Sequence, residues 1–404
     1  LRSNRQNPRS ALGNQSFVIY ISGALVALHG LWIYRVALAW YAWQLTESEF
    51  WVGMVAFTQF APAVVLGPLF GVFADRFERR RASMMINAGC MINIGILSAL
   101  TFSGRVDIAM LTAFSLMQGI LDGAHTPVRM TLVPSIVTRE QLQSAIATNS
   151  ILFNVSRFIG PALSGFVIAK WSVAHAFGIS ALSYLALVAA VALVRLRPDA
   201  RRPQITGNVG SELLAGIRYV REHKRIRALL ISIAVASIFG RGVLEMLPAF
   251  ADEVFAGGPS ALAILTSAIG IGSVATGLVL AAGTRWLQPR AIRNCVMIAG
   301  GLIVVFSLVD TFWIAVVIAV VMGIILSLVG VGSQILIQTM VDDELRGRVT
   351  SLWGMIAFGG TAVGSLLIGS AASVYGLQES TVVAGLLCAL LLVFVRGRPE
   401  PAVH

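Results

Sequence analysis

What this sequence most lacks is charge. Of its 404 residues only 12% are Asp, Glu, Lys or Arg, while 57% are hydrophobic and the mean hydropathy is +0.82. Soluble domains carry about 25% charged residues, so a soluble globular fold is excluded. Cysteine is scarce as well. Cys90, Cys295 and Cys388 all fall inside apolar runs, without metal-ligand spacing and without a disulfide framework, so neither a metal site nor a cofactor is expected. No Walker lysine, Ser/His/Asp set or pair of soluble carboxylates is present, which argues against an enzyme and against an ATP-driven pump. Gly270, Gly272 and Gly277 imitate a phosphate-binding loop only superficially. They follow no strand and sit within an apolar run, where small residues let membrane helices approach closely.

What is present is apolar length. A hydrocarbon core of about 30 Å needs about 20 apolar residues per helix. Twelve such segments are read at 17–45, 50–74, 82–103, 107–128, 144–169, 174–194, 226–251, 259–283, 291–309, 311–333, 349–374 and 379–396. The net charge of +11 would point to nucleic acid in a soluble chain, but here the basic residues lie between apolar runs. Membrane topology explains them, and no nucleic-acid partner is expected. One set of connections holds Arg76, Arg79, Arg80 and Arg81, then Arg129 and Arg139, Arg195 to Arg227, Arg285 to Arg293, and Arg346 and Arg348. The other holds Arg105 and Lys170 beside acidic Glu47, Glu49, Asp252, Glu253 and Asp310. The positive-inside rule then puts both termini in the cytoplasm, which agrees with an even number of spans. Residues 1–16 are expected to be a cytoplasmic tail. Trp40, Tyr41, Trp43 and Trp51 gather at the outer end of the first hairpin, as an interfacial aromatic belt does.

The only long polar break runs from Arg195 to Arg227, and within it Leu213, Leu214, Ile217 and Val220 share one helical face. This divides the chain into 1–194, a linker with an interfacial helix at 195–225, and 226–404. The outer parts look like copies. At an offset of 204, Gly119 matches Gly323, Gly160 matches Gly364 and Gly165 matches Gly369. A half-chain repeat in a twelve-span protein implies two parallel six-helix bundles around a central cavity.

The segment Gly71-Val-Phe-Ala-Asp75-Arg76-Phe-Glu-Arg79-Arg80-Arg81, pinned between two apolar runs, resembles the loop signature between the second and third helices of major facilitator superfamily transporters. Gly119-x-x-Asp122-x-Ala124-x-x-Pro127, Gly160-Pro161-Ala-x-x-Gly165, Gln338, Asp342-Asp343-Glu344 and Arg346-Gly347-Arg348-Val349 are similar to one exporter branch of it. That branch contains enterobactin exporters and macrolide efflux pumps. The resemblance covers essentially the whole chain and implies an all-α membrane protein of twelve helices in two pseudo-symmetric bundles. It also implies a latch formed by Gly71, Asp75, Arg76, Arg79 and Arg80, with Asp75 facing the start of the eleventh span near Val349 and the arginines held through Glu78 and residues 342–344. A helix-packing motif at Gly160, Pro161 and Gly165 is associated with export. Two departures stand out. Ser115 occupies the place of an Arg that the family uses in proton coupling, and Ala281 stands where the second copy of the loop would carry its acid, with Arg285 as a remnant.

Ionisable residues inside spans cost about 2.5–3.5 kcal/mol each on insertion scales, so they pair, line cavities or carry function. Arg35, Asp122, Arg157, Arg241 and Glu245 are of this kind. Asp122, expected in the cytoplasmic third of its helix, is the leading proton or cation carboxylate, or else a structural partner of Arg157 or Arg129. Arg241 and Glu245, four apart, share a face and can neutralise each other, or else form a substrate or gating site. Arg35 either recognises an anionic group or snorkels outward. His29 reads as a helix-contact histidine in preference to a proton relay. Trp32, Phe60, Phe114, Phe239 and Met246 are expected to line an amphipathic cavity. The expected function is secondary export of a small, drug- or siderophore-like organic molecule across the bacterial inner membrane by a monomer, with protons as counter-ion. Lipid flipping and facilitated uptake are the alternatives on the same fold, and a non-transporting receptor is disfavoured by the short outer loops.

Overall fold

The computed structural model describes residues 10–67, 70, 77–197 and 209–394. Among them the chain is helical almost throughout. The first six long helices are α1 (Gln15–Thr46), α2 (Glu49–Val65), α3 (Arg79–Phe102), α4 (Ile108–Ile136), α5 (Leu142–Lys170) and α6 (Val173–Leu193). A polar connection leads to α7 (Val209–Glu222), followed by α8 (Lys224–Val254), α9 (Gly258–Ala282), α10 (Pro289–Leu308), α11 (Phe312–Met340), α12 (Asp343–Tyr375) and α13 (Leu377–Phe394). Nine of these are long and apolar enough to cross a membrane, and α2 and α13 are shorter apolar helices. Of the other two, α7 is short and largely polar, while α4 has the length but carries Gln118, Asp122, His125 and Arg129. Its low hydropathy is thus the signature of what it contributes to the interior.

Local chemistry starts these helices where the sequence changes character. Asn14, Asp107 and Ser172 each turn a side-chain oxygen onto the backbone N–H three residues on, satisfying one of the donors a helix start leaves open. Tight turns at Glu47, Gly104, Trp171, Gly257, Val309 and Gly376 define one end of the molecule, called here the hairpin face. The opposite end, which carries the connection to α7, is the linker face.

Two expectations need correction. Span four does not stop near residue 128. It runs through Pro127 and Pro134 to Ile136, as membrane helices tolerate proline where neighbouring helices enclose them. Asp122 therefore lies at the middle of its helix, away from the cytoplasmic third. Span seven, expected as continuous over 226–251, is instead broken. It is π-helical over Ala236–Arg241 and Phe250–Val254, with a tight turn between, in which Glu245 N–H donates to the Gly242 carbonyl at 3.3 Å and Met246 N–H to the Val243 carbonyl at 3.0 Å. Pro248 supplies the reason: it has no N–H for the Leu244 carbonyl, and its ring crowds that oxygen.

The repeat appears as matched contacts. Gly119 on α4 lies against the Thr58 and Gln59 carbonyls of α2, and Gly323 on α11 lies against Ile269 of α9. Gly160 on α5 abuts Trp32 of α1, while Gly364 on α12 abuts Ile238 of α8. The third pair joins the two bundles: Gly165 meets Ala263 of α9, and Gly369 meets Glu49 and Gly53 of α2. The two inter-bundle seams, α2 with α12 and α5 with α9, are therefore related by the same duplication.

A methyl group at Gly364 would sit 2.0 Å from the Ile238 carbonyl oxygen, whereas one at Gly301 would meet nothing within 4 Å. Gly364→Ala is expected to cost about 1–3 kcal/mol through overpacking. Gly301→Ala should be neutral or gain up to about 1 kcal/mol from helix propensity. Thermal unfolding of the two variants in detergent checks the contrast.

Candidate functional site

Five ionisable side chains lie at matching depth. Arg35, Asp122, Arg157, Arg241 and Glu245 sit nine to fourteen residues from the hairpin-face ends of α1, α4, α5 and α8. At about 1.5 Å per residue this is about 14–21 Å, near the centre of a bilayer. Each remains partly exposed although it is mid-helix.

Aromatic rings hold the cations. The Arg35 guanidinium lies 5.2 Å from the Trp32 ring centre and 5.6 Å from that of Phe60, and the Arg157 guanidinium lies 5.7 Å from the same Trp32 ring. Arg35 thus does not snorkel outward. Gly160 lets this happen, since its bare backbone leaves room for Trp32 on the facing helix. Glu245 feels the charges of Arg35, Arg241 and Arg157, and Asp122 feels that of Arg35. Yet among the described residues no carboxylate lies within 4 Å of Arg35, Arg157 or Arg241; the ion pairs found are Arg81 with Glu78 and Arg218 with Glu222. The expected Arg241–Glu245 pair is not closed. The π-helical turn carries Arg241 towards α11, where its guanidinium lies against Gly330 beside a cavity of about 10 Å³ bordered by Ser237, Leu326 and Trp353.

Asp122 has a braced environment that sequence reasoning missed. Gln118 donates to its Oδ1 at 3.0 Å, and Asn93 donates to Gln118 Oε1 at 3.1 Å and to the Phe114 carbonyl at 3.2 Å. Neither Arg157 nor Arg129 is its partner. The four-residue spacing of Gln118 and Asp122 was the available signal. Ser115, at the position of the family's arginine, is a buried packing residue whose hydroxyl donates to the Val55 carbonyl at 2.8 Å. His29 is engaged with the Leu25 carbonyl and Ser156, as a helix contact. Trp32, Phe60, Phe114 and Phe239 keep some exposed surface, but Met246 is fully buried and lines nothing: the turn before Pro248 rotates it into the core.

The comparisons with known proteins bear on the family and the fold. The family described as transmembrane secretion effector, of the major facilitator type, matches residues 7–400. The chain belongs to this family. It is 24% identical to the staphyloferrin A transporter of Staphylococcus aureus, over 94% of this chain and 96% of that one. It is also 24% identical to macrolide efflux protein A of Streptococcus pyogenes, over 91% of each. In fold it is similar to a bacterial homologue of the human lysosomal transporter Spinster solved in an inward-facing, unoccupied conformation. The TM-score is 0.73 at 14% identity, over 94% of this chain and 96% of that one.

The two bundles of this major facilitator protein meet on the hairpin-face side. Trp43 Nε1 of α1 donates to Asp252 Oδ2 of α8 at 2.9 Å, and Ser365 of α12 donates to the Gly53 carbonyl at 3.2 Å. On the linker-face side, Gly347 and Gly354 of α12 have nothing within 4 Å of where a side chain would stand. Gly71, Asp75 and Arg76 of the expected latch lie outside the described residues. Of its other parts, Arg80 bonds the Val194 carbonyl at the end of α6, Glu78 pairs with Arg81 at 2.9 Å, and Asp342 accepts from Tyr219 of α7 at 3.2 Å. Glu78 is thus paired with an arginine of its own segment and Asp342 with α7, and the remainder of the expected latch turns on residues outside those described.

Replacing Trp43 with Phe removes a cross-bundle hydrogen bond to a carboxylate, worth about 1 kcal/mol at a partly exposed site. Spin labels at Leu45 and Ser260 should then show a several-fold larger population of longer distances. An unchanged distance distribution would mean that this bond does not hold the face closed.

Proposed function

We propose that this protein is a secondary exporter that carries a small organic amphipathic molecule across the bacterial cytoplasmic membrane by alternating access, as a monomer with both termini in the cytoplasm. The observation that carries the proposal is the set of five partly exposed ionisable groups at mid-depth, contributed by both bundles of a major facilitator fold. Groups so costly to insert are retained where a substrate or ion passes. The arginine bias of the connections orients the linker face to the cytoplasm. On that orientation the closed hairpin face is the outer side, and the conformation is the one that loads from within. Export is favoured over uptake by the secretion-type family and by a relative named for macrolide efflux.

Proton antiport is the coupling that Asp122 suits, on one condition. Antiport needs proton and substrate to oppose each other's binding, and linkage makes that opposition reciprocal. A neutral or cationic molecule meets the condition through charge, because a protonated carboxylate no longer attracts it.

The direct test is accumulation of a panel of amphipathic compounds in a pump-deficient bacterial host with and without this protein. Lower accumulation of at least one compound on expression is expected, and higher accumulation would overturn the direction. Coupling at Asp122 further predicts that Asp122→Asn removes the dependence of efflux on a pH gradient across everted vesicles, with protein levels unchanged.

A further inference from the structure

We infer that the substrate is an organic anion, a molecule bearing at least one carboxylate-like group on an apolar or aromatic body, bound where Arg35 and Arg157 converge on the Trp32 ring. This deepens the exporter reading above and rests on it.

Three observations carry it. The guanidiniums of Arg35, Arg157 and Arg241 lie within electrostatic reach of Glu245, and those of Arg35 and Arg241 within reach of Arg157. Like charges gathered inside a membrane protein are costly, and among the described residues none has a carboxylate within 4 Å to offset it. Even with Asp122 and Glu245 both ionised, three cations face two anions. Second, N–H donors at the same place lack acceptors: Arg35 Nε and Trp32 Nε1 are both shielded and unpartnered. A buried donor left unmatched is costly, and an oxygen-rich anion supplies what they lack. Third, the Trp32 and Phe60 rings that flank Arg35 offer flat apolar surface beside the charge. An amphipathic anion needs that combination. A purely structural ion network would instead show the arginines closed on Asp122 and Glu245.

The sign of the substrate's charge decides how it is driven. The ionisable groups around Arg35 are Asp122 on α4, Glu245 on α8, Arg157 on α5, Tyr34 on its own helix and Tyr184 on α6. Protonating Asp122 or Glu245 removes negative charge from this set and so strengthens the binding of an anion. Proton and substrate then assist each other, the reverse of what antiport requires. The inside-negative membrane potential suffices alone: 100 mV sustains about a 50-fold outward gradient per negative charge.

The test uses the full-length protein in liposomes with two xanthene dyes of opposite charge, carboxyfluorescein as anion and rhodamine 123 as cation. A valinomycin-clamped potassium gradient sets the potential. Carboxyfluorescein efflux should accelerate with a negative lumen and should not respond to collapse of a pH gradient. Arg157→Gln should cut it at least tenfold, Arg157→Lys should recover part of the loss, and Asp122→Asn should lower the half-saturating dye concentration several-fold. Transport of rhodamine 123 in preference, or loss of carboxyfluorescein transport in Asp122→Asn, would overturn the anion assignment and leave the exporter reading standing. Movement of neither dye, with no compound of the cellular panel exported, would overturn both.

Discussion

Bare backbone against bare backbone is the interaction on which this architecture depends. In lipid, apolar side chains gain nothing by leaving the bilayer for another helix, so association relies on close approach and on small polar groups bonding across. Gly119, Gly160, Gly165 and their counterparts 204 residues on each place a helix where even a methyl group would overlap a neighbour. Serines supply the polar part: Ser115, Ser164, Ser180 and Ser365 each donate to a carbonyl of a facing helix. Because the same positions recur in both halves, the seams they form are related by duplication and place the two bundles face to face.

That placement determines where charge can survive. A guanidinium facing lipid at mid-depth would pay the full insertion cost, whereas one turned between the bundles rests on aromatic faces. Gly160 connects the two requirements. By lacking a side chain it admits Trp32, and Trp32 is the ring shared by Arg35 and Arg157. Packing and the proposed recognition are thus coupled at one residue, Gly160, through the ring it admits.

Much of this was legible in the sequence, and the failures share a cause. Span number, the half-chain repeat and the list of intramembrane charges follow from composition and period alone. A helix is found at Val209–Glu222, where one apolar face had suggested it. What was not legible is anything that depends on a helix departing from 3.6 residues per turn. Arg241 and Glu245 were paired by an ideal i to i+4 count, but the helix is π-bulged before them and turned after them. Met246 was turned into the core by the same break. Pro248 was present as a warning, yet a proline indicates that a helix deviates without saying which way. In α4 the opposite occurred. The span was expected to end at residue 128, and the helix instead continues through Pro127 and Pro134, because membrane helices enclosed by neighbours tolerate proline. The loop from Gly71 to Arg76 was the sharpest sequence motif, and it stands outside the described residues.

The proposed alternating access would require that the hairpin-face seams part, and their composition makes this inexpensive. Gly53 against Gly369 and Gly165 against Ala263 touch through backbone and methyl surface alone, where each atom pair contributes about 0.1–0.2 kcal/mol. The directed bonds across the closed face are Trp43 to Asp252 and Ser365 to the Gly53 carbonyl. Deeper in, Gly270 rests on the Arg157 carbonyl and Phe158 near the level of the charged cluster. A rotation about that deeper crossing would open the hairpin face while displacing Arg157 little, since a point near the axis moves least. The arginine would then hold its ligand through the transition. Trp32 and Arg35 on α1 and Arg157 on α5 belong to the same bundle and would move as one body, so the rotation would change chiefly their distance from Arg241 and Glu245 of the other bundle. Release on the outer side is therefore expected to part Arg241 from the Arg35–Trp32–Arg157 group while the ring contacts within that group persist.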